Sequence, residues 1–135
     1  MPLTRALLDP NAKIREYDLY WALYEIIPAG FHCDEGRLTP GSIEFIPHRV
    51  SGSQWLTVDV VLDIEAFPYK ERENLDERAK NIKTALKGLF PGVTFAVWPK
   101  LVNAGWASDS SDPDFDGDMS MPAAIERAKR RLGLA

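Results

Sequence analysis

The chain has 135 residues, of which 45% are hydrophobic, a length and composition typical of one domain with a limited core. Sixteen Lys and Arg face twenty Asp and Glu, a net charge of −4, and no basic stripe carries interleaved aromatic residues, so we expect no binding to nucleic acid. Asp, Glu and Pro interrupt every apolar run, so no contact with a membrane is expected. The single cysteine, Cys33, excludes an internal disulfide and, in a sequence without a secretory signal, predicts a cytoplasmic location.

The first part of the chain gives weaker signals than the middle. Residues 2–9 fit either a short strand or a helical turn. Apolar and tyrosine residues then predict a short helix over Glu16–Ile27, which Pro28 is expected to end. Residues 31–42 have loop composition, and Ser42–Val50 is typical of a strand that Pro47 restricts to a sheet edge or to a short piece.

The middle of the chain predicts a βαβ unit. Apolar residues at every second position over Leu56–Ala66, with Thr57, Asp59, Val61, Asp63 and Glu65 between them, indicate a strand with one apolar face. Apolar residues at helical spacing over Leu75–Phe90 predict a helix that Pro91-Gly92 stops. Val93–Val102 reads as a second strand, with Trp98 on its other face. A right-handed unit with parallel strands is the simplest arrangement, and the fold class predicted is a single α+β domain built around it.

The C-terminal part divides into an acidic loop and a helix, predicted as an extension (residues 108–135) to a main domain (residues 1–107). Within the loop, Asp112–Asp118 has oxygen ligands at alternating positions and Gly at the sixth, as in a calcium loop, but its twelfth position is Ala123. We therefore favour an acidic linker whose last residues cap the helix, and no metal site is predicted. The basic residues of that helix, from Arg127 to Arg131, suggest a solvated face.

The second residue suggests chemistry. After a Met1-Pro2 junction the initiator methionine is normally removed, which leaves proline with a free secondary amine. In an apolar pocket the ammonium form of that amine is penalised, so its pKa falls toward neutrality and the amine can act as a base.

The sequence resembles the tautomerase superfamily in four parts. These are Pro2, the strand over residues 58–67, the helix over residues 75–90, and the segment 93–106 with its closing Asn103-Ala-Gly-Trp106. The resemblance covers about half of the chain. It implies a tautomerase-like mixed sheet with helices on one face, and a homotrimer, since longer members hold two βαβ units and form trimers. It also implies a cofactor-independent tautomerase or isomerase.

The resemblance further implies a mechanism in which Pro2 is the general base and acts on a small carboxylate or carbonyl substrate. A cation would bind the substrate carboxylate or steady the enolate, and Arg49 and Lys100 are the candidates near predicted strand ends. Trp98, Trp106 and Asn103 are the remaining candidate substrate-binding residues. Further basic residues that could supply the cation are Arg5, Lys13 and Arg15.

A second interpretation stays open. Asp59, Asp63 and Glu65 share one face of the predicted strand, the face that the family turns toward the trimer centre, where unpaired carboxylates would be costly. They could equally form the solvated side of a sheet. The alternative to an enzyme is therefore a non-enzymatic interaction or assembly module, which docks a partner or a neighbouring subunit.

Overall fold

The computed structural model describes residues 3–31, 43–47, 58–66, 74–102 and 120–134. For Leu3 and residues 43–47 it describes the backbone alone. Along the chain the described elements form two strand–helix–strand segments followed by a third helix, as an α+β domain. They are β1 (Leu3–Leu8), α1 (Glu16–Gly30), β2 (Ile43–Pro47), β3 (Val60–Ala66), α2 (Leu75–Leu89), β4 (Phe95–Leu101) and α3 (Met121–Leu132).

The strands form one mixed sheet in the order β2-β1-β3-β4. β1 runs parallel to β2, β3 runs parallel to β4, and the two central strands, β1 and β3, are antiparallel. The chain thus contains two βαβ units, β1-α1-β2 and β3-α2-β4, joined along their first strands. The predicted parallel unit in the middle of the chain is confirmed. The ambiguous first segment is a strand, and the strand that contains Pro47 lies at the sheet edge as expected.

The alternation of side chains sorts each central strand into two faces. On one face Ala6, Leu62 and Ile64 are fully buried and pack against the helices. All three helices contribute to this single core, and their main contributions are Leu23, Ile26 and Ile27 from α1, Ile82 and Leu86 from α2, and Ala124 and Ala128 from α3. Arg5, Asp63 and Trp98 occupy register positions of the opposite face, which we call the outer face.

Helix α1 is longer than predicted, because it continues through Pro28 to Gly30. A proline removes one helical hydrogen bond and crowds the preceding turn, so it was expected to stop the helix. Here Pro28 lies in the last turn, and the residues from Glu25 to Phe31 are all buried. The Phe31 N–H still donates to the Ile27 carbonyl at 3.2 Å. Burial of this turn in the core therefore outweighs the lost bond.

Helix α2 follows the sequence prediction closely. Its buried residues recur at helical spacing, and its last turn ends where the Phe90 N–H donates to the Leu86 carbonyl at 2.9 Å. Gly92 then adopts a φ of 87°, a left-handed conformation that glycine tolerates without a steric cost. Within the described ranges no helix is both long and apolar enough to cross a membrane.

Helix α3 is bound to α1 by a buried ion-pair network, which corrects the prediction of a solvated face for Arg127 and Arg131, whereas Arg130 is exposed as predicted. Glu25 is only 5% exposed and accepts from Arg127 Nε at 2.6 Å and from Arg131 Nε at 2.8 Å. Arg127 is itself 8% exposed. The helix begins with Ser120, whose Oγ accepts from the Ala123 N–H at 3.3 Å, so its cap is a hydroxyl and not a carboxylate of the acidic loop.

We predict that Glu25→Ala lowers the free energy of unfolding by about 3–5 kcal/mol, because removal of one partner from a buried ion pair leaves the other charge uncompensated. Urea unfolding followed by circular dichroism measures the change. Glu126→Ala is the matched control, since Glu126 is exposed and pairs with Lys129 across one turn, and it should change stability by about 1 kcal/mol or less. Similar small effects of both substitutions would contradict the structural role of Glu25.

A second prediction concerns two helical glycines. A Cβ at Gly30 would lie 2.5 Å from Ile82 Cγ1, and Ile82 is fully buried, so Gly30→Ala should cost about 1–3 kcal/mol through overpacking. A Cβ at Gly88 meets nothing within 4 Å, so Gly88→Ala should stabilise the protein by about 0.5–1 kcal/mol. Denaturation midpoints compare the two, and adding Ile82→Val should recover part of the Gly30→Ala loss. A stabilising Gly30→Ala would refute this packing.

Candidate functional site

The pairing of the central strands places the start of β1 at the edge where β3 and β4 end. Leu3 lies opposite Glu65, and Glu65 lies opposite Lys100 on the next strand. The Val102 N–H donates to the Ala66 carbonyl at 2.8 Å, so β3 and β4 stay paired to their ends. The carboxyl ends of parallel strands are where open sheets commonly bind ligands. We call this region the carboxyl edge.

Two of the predicted site residues, Trp98 and Lys100, lie two positions apart on the outer face of β4, Lys100 next to this edge and Trp98 at the middle of the strand. Trp98 is 49% exposed, and its register partner is Asp63. The remaining predicted site residues lie outside the described residues, as do the candidate calcium segment Asp112–Asp118 and the boundary between residues 107 and 108. These site residues are Pro2, Arg49, Asn103 and Trp106.

The acidic side chains of the outer face are paired with a cation. Lys100 Nζ lies 2.6 Å from Asp63 Oδ1 and 3.8 Å from Glu65 Oε1, and Arg5 lies opposite Asp63 in the register. The hydrogen bond to Asp63 raises the pKa of the Lys100 ammonium above its usual value near 10.5. Opposite charges thus alternate across three strands, and the carboxylates of Asp63 and Glu65 are paired within the chain.

The third predicted carboxylate, Asp59, has a separate structural role at the opposite edge. The Asp59 N–H donates to Thr94 Oγ1 at 2.9 Å, and the Thr94 N–H donates back to Asp59 Oδ2 at 3.0 Å. These reciprocal bonds join the segments that lead into β3 and β4. Two further candidate cations, Lys13 and Arg15, follow the end of β1 and lie away from the carboxyl edge, and Arg15 forms a bidentate pair with Asp18 at 2.9 Å.

A cavity of about 290 Å³ opens in the helix layer where α1 ends and where α2 and α3 begin. Because α1 leads to the start of β2 and α2 follows the end of β3, this cavity lies at the same end of the molecule as the carboxyl edge. Arg78 is its cationic side chain, and Arg78 Nη1 donates to the Gly30 carbonyl at 3.0 Å. The other residues that line it are Ala29, Asn74, Glu77, Asn81 and Met121.

Sequence reasoning missed Arg78 because a basic residue among charged helical neighbours looks like an ordinary solvated side chain. It also missed Thr4, which lies on the core face of β1 and is fully buried. Within the described part of the chain Thr4 Oγ1 has no hydrogen-bond partner, which costs about 1–3 kcal/mol.

No group of three or more potential metal ligands occurs among the described residues. The described part of this end of the molecule therefore offers cations, an aromatic side chain and a hydroxyl.

Comparisons with known proteins add no family to this geometry. Neither protein-family models, nor curated proteins, nor solved structures give a match to the chain. The chemistry of the chain therefore has to be inferred from its own residues and from how the strands place them.

We predict that Asp63→Asn returns the pKa of Lys100 toward its usual value, because the hydrogen bond to a carboxylate is the main cause of the shift. Titration of the Lys100 Cε resonance by NMR measures it. Because the pKa of Lys100 is raised in the folded state, its pair with Asp63 stabilises the fold fully below the unfolded-state pKa of Lys100. This stabilisation is lost as the pH rises through the folded-state pKa. The stability difference between wild type and variant should thus disappear at strongly alkaline pH.

Asp76→Asn provides the control for this titration, since Asp76 is an exposed carboxylate in the first turn of α2. In that variant the Lys100 Cε chemical shift should follow the same titration curve as in wild type. An unchanged Lys100 pKa in Asp63→Asn would mean that the ion pair does not form in solution.

Proposed function

We propose that this protein is a cofactor-independent tautomerase or isomerase that acts on a small carbonyl acid, with the N-terminal amine of Pro2 as general base. The observation that carries the proposal is the antiparallel pairing of β1 and β3, because it brings the start of the chain to the carboxyl edge. The strand that ends at Leu101 reaches the same edge, and the motif-like Asn103-Ala-Gly-Trp106 follows it in the sequence. The two segments that carry the tautomerase resemblance therefore lead to one place.

The architecture gives additional support. The sequence resemblance rested on one βαβ unit, and the fold contains two such units in one mixed sheet, with the helices on one face. Longer tautomerase superfamily members hold two units and form trimers. The outer face carries balanced charges and the half-exposed Trp98, and we assign the contacts between subunits of a homotrimer to this face.

In the proposed reaction the unprotonated Pro2 amine removes a proton from the carbon alpha to the substrate carbonyl, and the C–H electron pair forms the enolate. The resulting ammonium then returns the proton to a different atom, either oxygen or a second carbon, so the amine is regenerated and no oxidant or cofactor is consumed. A nearby cation lowers the energy of the charged intermediate.

The geometry bears on which cation serves this role. Lys100 already contacts Asp63 and Glu65, so a substrate carboxylate would compete there with two internal ones. Arg78, which donates to the Gly30 carbonyl, lies in the cavity at the same end, on the helix side of the sheet, and joins Arg49 as a candidate because both are guanidinium cations. A guanidinium also matches a substrate carboxylate better, through two parallel hydrogen bonds.

The proposal predicts that Pro2→Ala lowers the rate of phenylenolpyruvate ketonisation by about 10²–10⁴-fold, the usual contribution of a positioned general base. This reaction is the reverse of the enolisation above: the amine takes the enol O–H proton, and the resulting ammonium protonates the carbon. Intact mass spectrometry must first show that Met1 is removed. A variant with a lysine inserted between Met1 and Pro2, which keeps the proline nitrogen acylated, should be equally impaired. Pro10→Ala, at an exposed turn beyond the other end of β1, should keep the wild-type rate.

An interaction module is the second candidate, because the half-exposed Trp98 on a sheet face is a feature that such a module would also display. Retained Met1, or equal rates for wild type and Pro2→Ala, would exclude the enzyme. Sedimentation velocity of wild type and Trp98→Arg then tests for the oligomer that an interaction module would form through this face. A trimer that dissociates in Trp98→Arg but lacks Pro2-dependent activity is the result expected of the module.

A further inference from the structure

The helix layer contains a second cavity, of about 300 Å³, between α1 and the last turns of α3. Glu25, Arg127, Arg130 and Arg131 line it. Three guanidinium groups and one carboxylate thus meet in one place, in a chain whose net charge is −4. The cavity lies along the middle of α1 and is separate from the carboxyl edge.

Two of these guanidinium groups are held in fixed orientations. Arg127 and Arg131 each use Nε to bind a different oxygen of Glu25, at 2.6 Å and 2.8 Å. The Arg131 guanidinium also lies over aromatic rings, 4.5 Å from the centroid of Trp21 and 5.1 Å from that of Tyr24. A guanidinium is a planar fork of five N–H donors, so these contacts set the direction of the whole fork. Such preorganisation lowers the entropic cost of binding a ligand.

The third guanidinium, that of Arg130, is on an exposed residue. It adds a cation that a ligand can reach from solvent. The negative end of the α3 dipole lies in the same turn and opposes an anion, but it amounts to about half of one elementary charge. Three guanidinium charges less the one carboxylate charge of Glu25 leave a net charge of +2, which outweighs the dipole.

We propose that this cavity binds a small oxyanion, a phosphate or a carboxylate, through Arg127, Arg130 and Arg131. Oxyanions accept paired, charge-assisted hydrogen bonds from guanidinium forks, and the cavity volume is at the small end of ligand pockets. The site does not depend on the Pro2 chemistry.

The test is an NMR titration of the arginine Nε resonances of the full chain with inorganic phosphate, at constant pH and with chloride adjusted to constant ionic strength. Saturable shifts of Arg127, Arg130 and Arg131 are the expected result. Arg130→Ala should weaken phosphate binding about tenfold, as read from the Arg127 and Arg131 resonances. Because Arg130 is exposed, this variant should fold normally, and its unfolding curve without phosphate should match that of wild type.

Lys87→Ala, which removes a basic residue from the last turn of α2, controls for non-specific charge and should leave the phosphate affinity unchanged. A parallel titration with malonate distinguishes the ligand sources. Competition by malonate assigns the site to oxyanions in general, and binding of phosphate alone assigns it to phosphate groups. Shifts that rise linearly without saturation, or equal affinity in wild type and Arg130→Ala, would overturn the proposal.

Discussion

The antiparallel pairing of β1 with β3 is the constraint on which the rest of this fold depends. Each βαβ unit is local, since a helix connects two parallel strands, and among the described strands it is the pairing of Leu3–Leu8 with Val60–Ala66 that joins the two units into one sheet. That contact creates one continuous sheet face for all three helices to cover. It also turns the second unit so that its strands end where the first begins. The core and the candidate site are therefore consequences of the same pairing.

Ion pairs form in two places in this structure, and the burial of each pair determines how much it contributes to stability. The Glu25 network lies in the helix layer, where an unpaired charge would be costly, so it fixes α3 on α1. The pair between Lys100 and Asp63 lies on the outer face, where solvent screens it, and its main effect is to make a sheet face with two carboxylates electrically balanced. A balanced face can pack against another subunit without a large repulsive term.

The proposed chemistry and the proposed anion site occupy different parts of the molecule. The first depends on a free Pro2 amine, and β1, which begins one residue later, starts at the carboxyl edge, at the same end of the molecule as the Arg78 cavity. The second depends on the ordered arginines of α3 and on their contact with Glu25. Each can fail without the other, because the two sites share no residue.

The sequence by itself determined the elements whose signals are local. Alternation predicted β3, helical spacing predicted α2, and Pro47 marked an edge strand, since these signals follow from backbone geometry and side-chain period. It also pointed to Pro2, but only by residue type. Tertiary structure decided that α1 runs through Pro28, that Arg127 is buried and that Lys100 pairs with Asp63. Each of these outcomes depends on a partner far away in the chain, as Glu25 and Arg127 are, and no local pattern encodes such a contact.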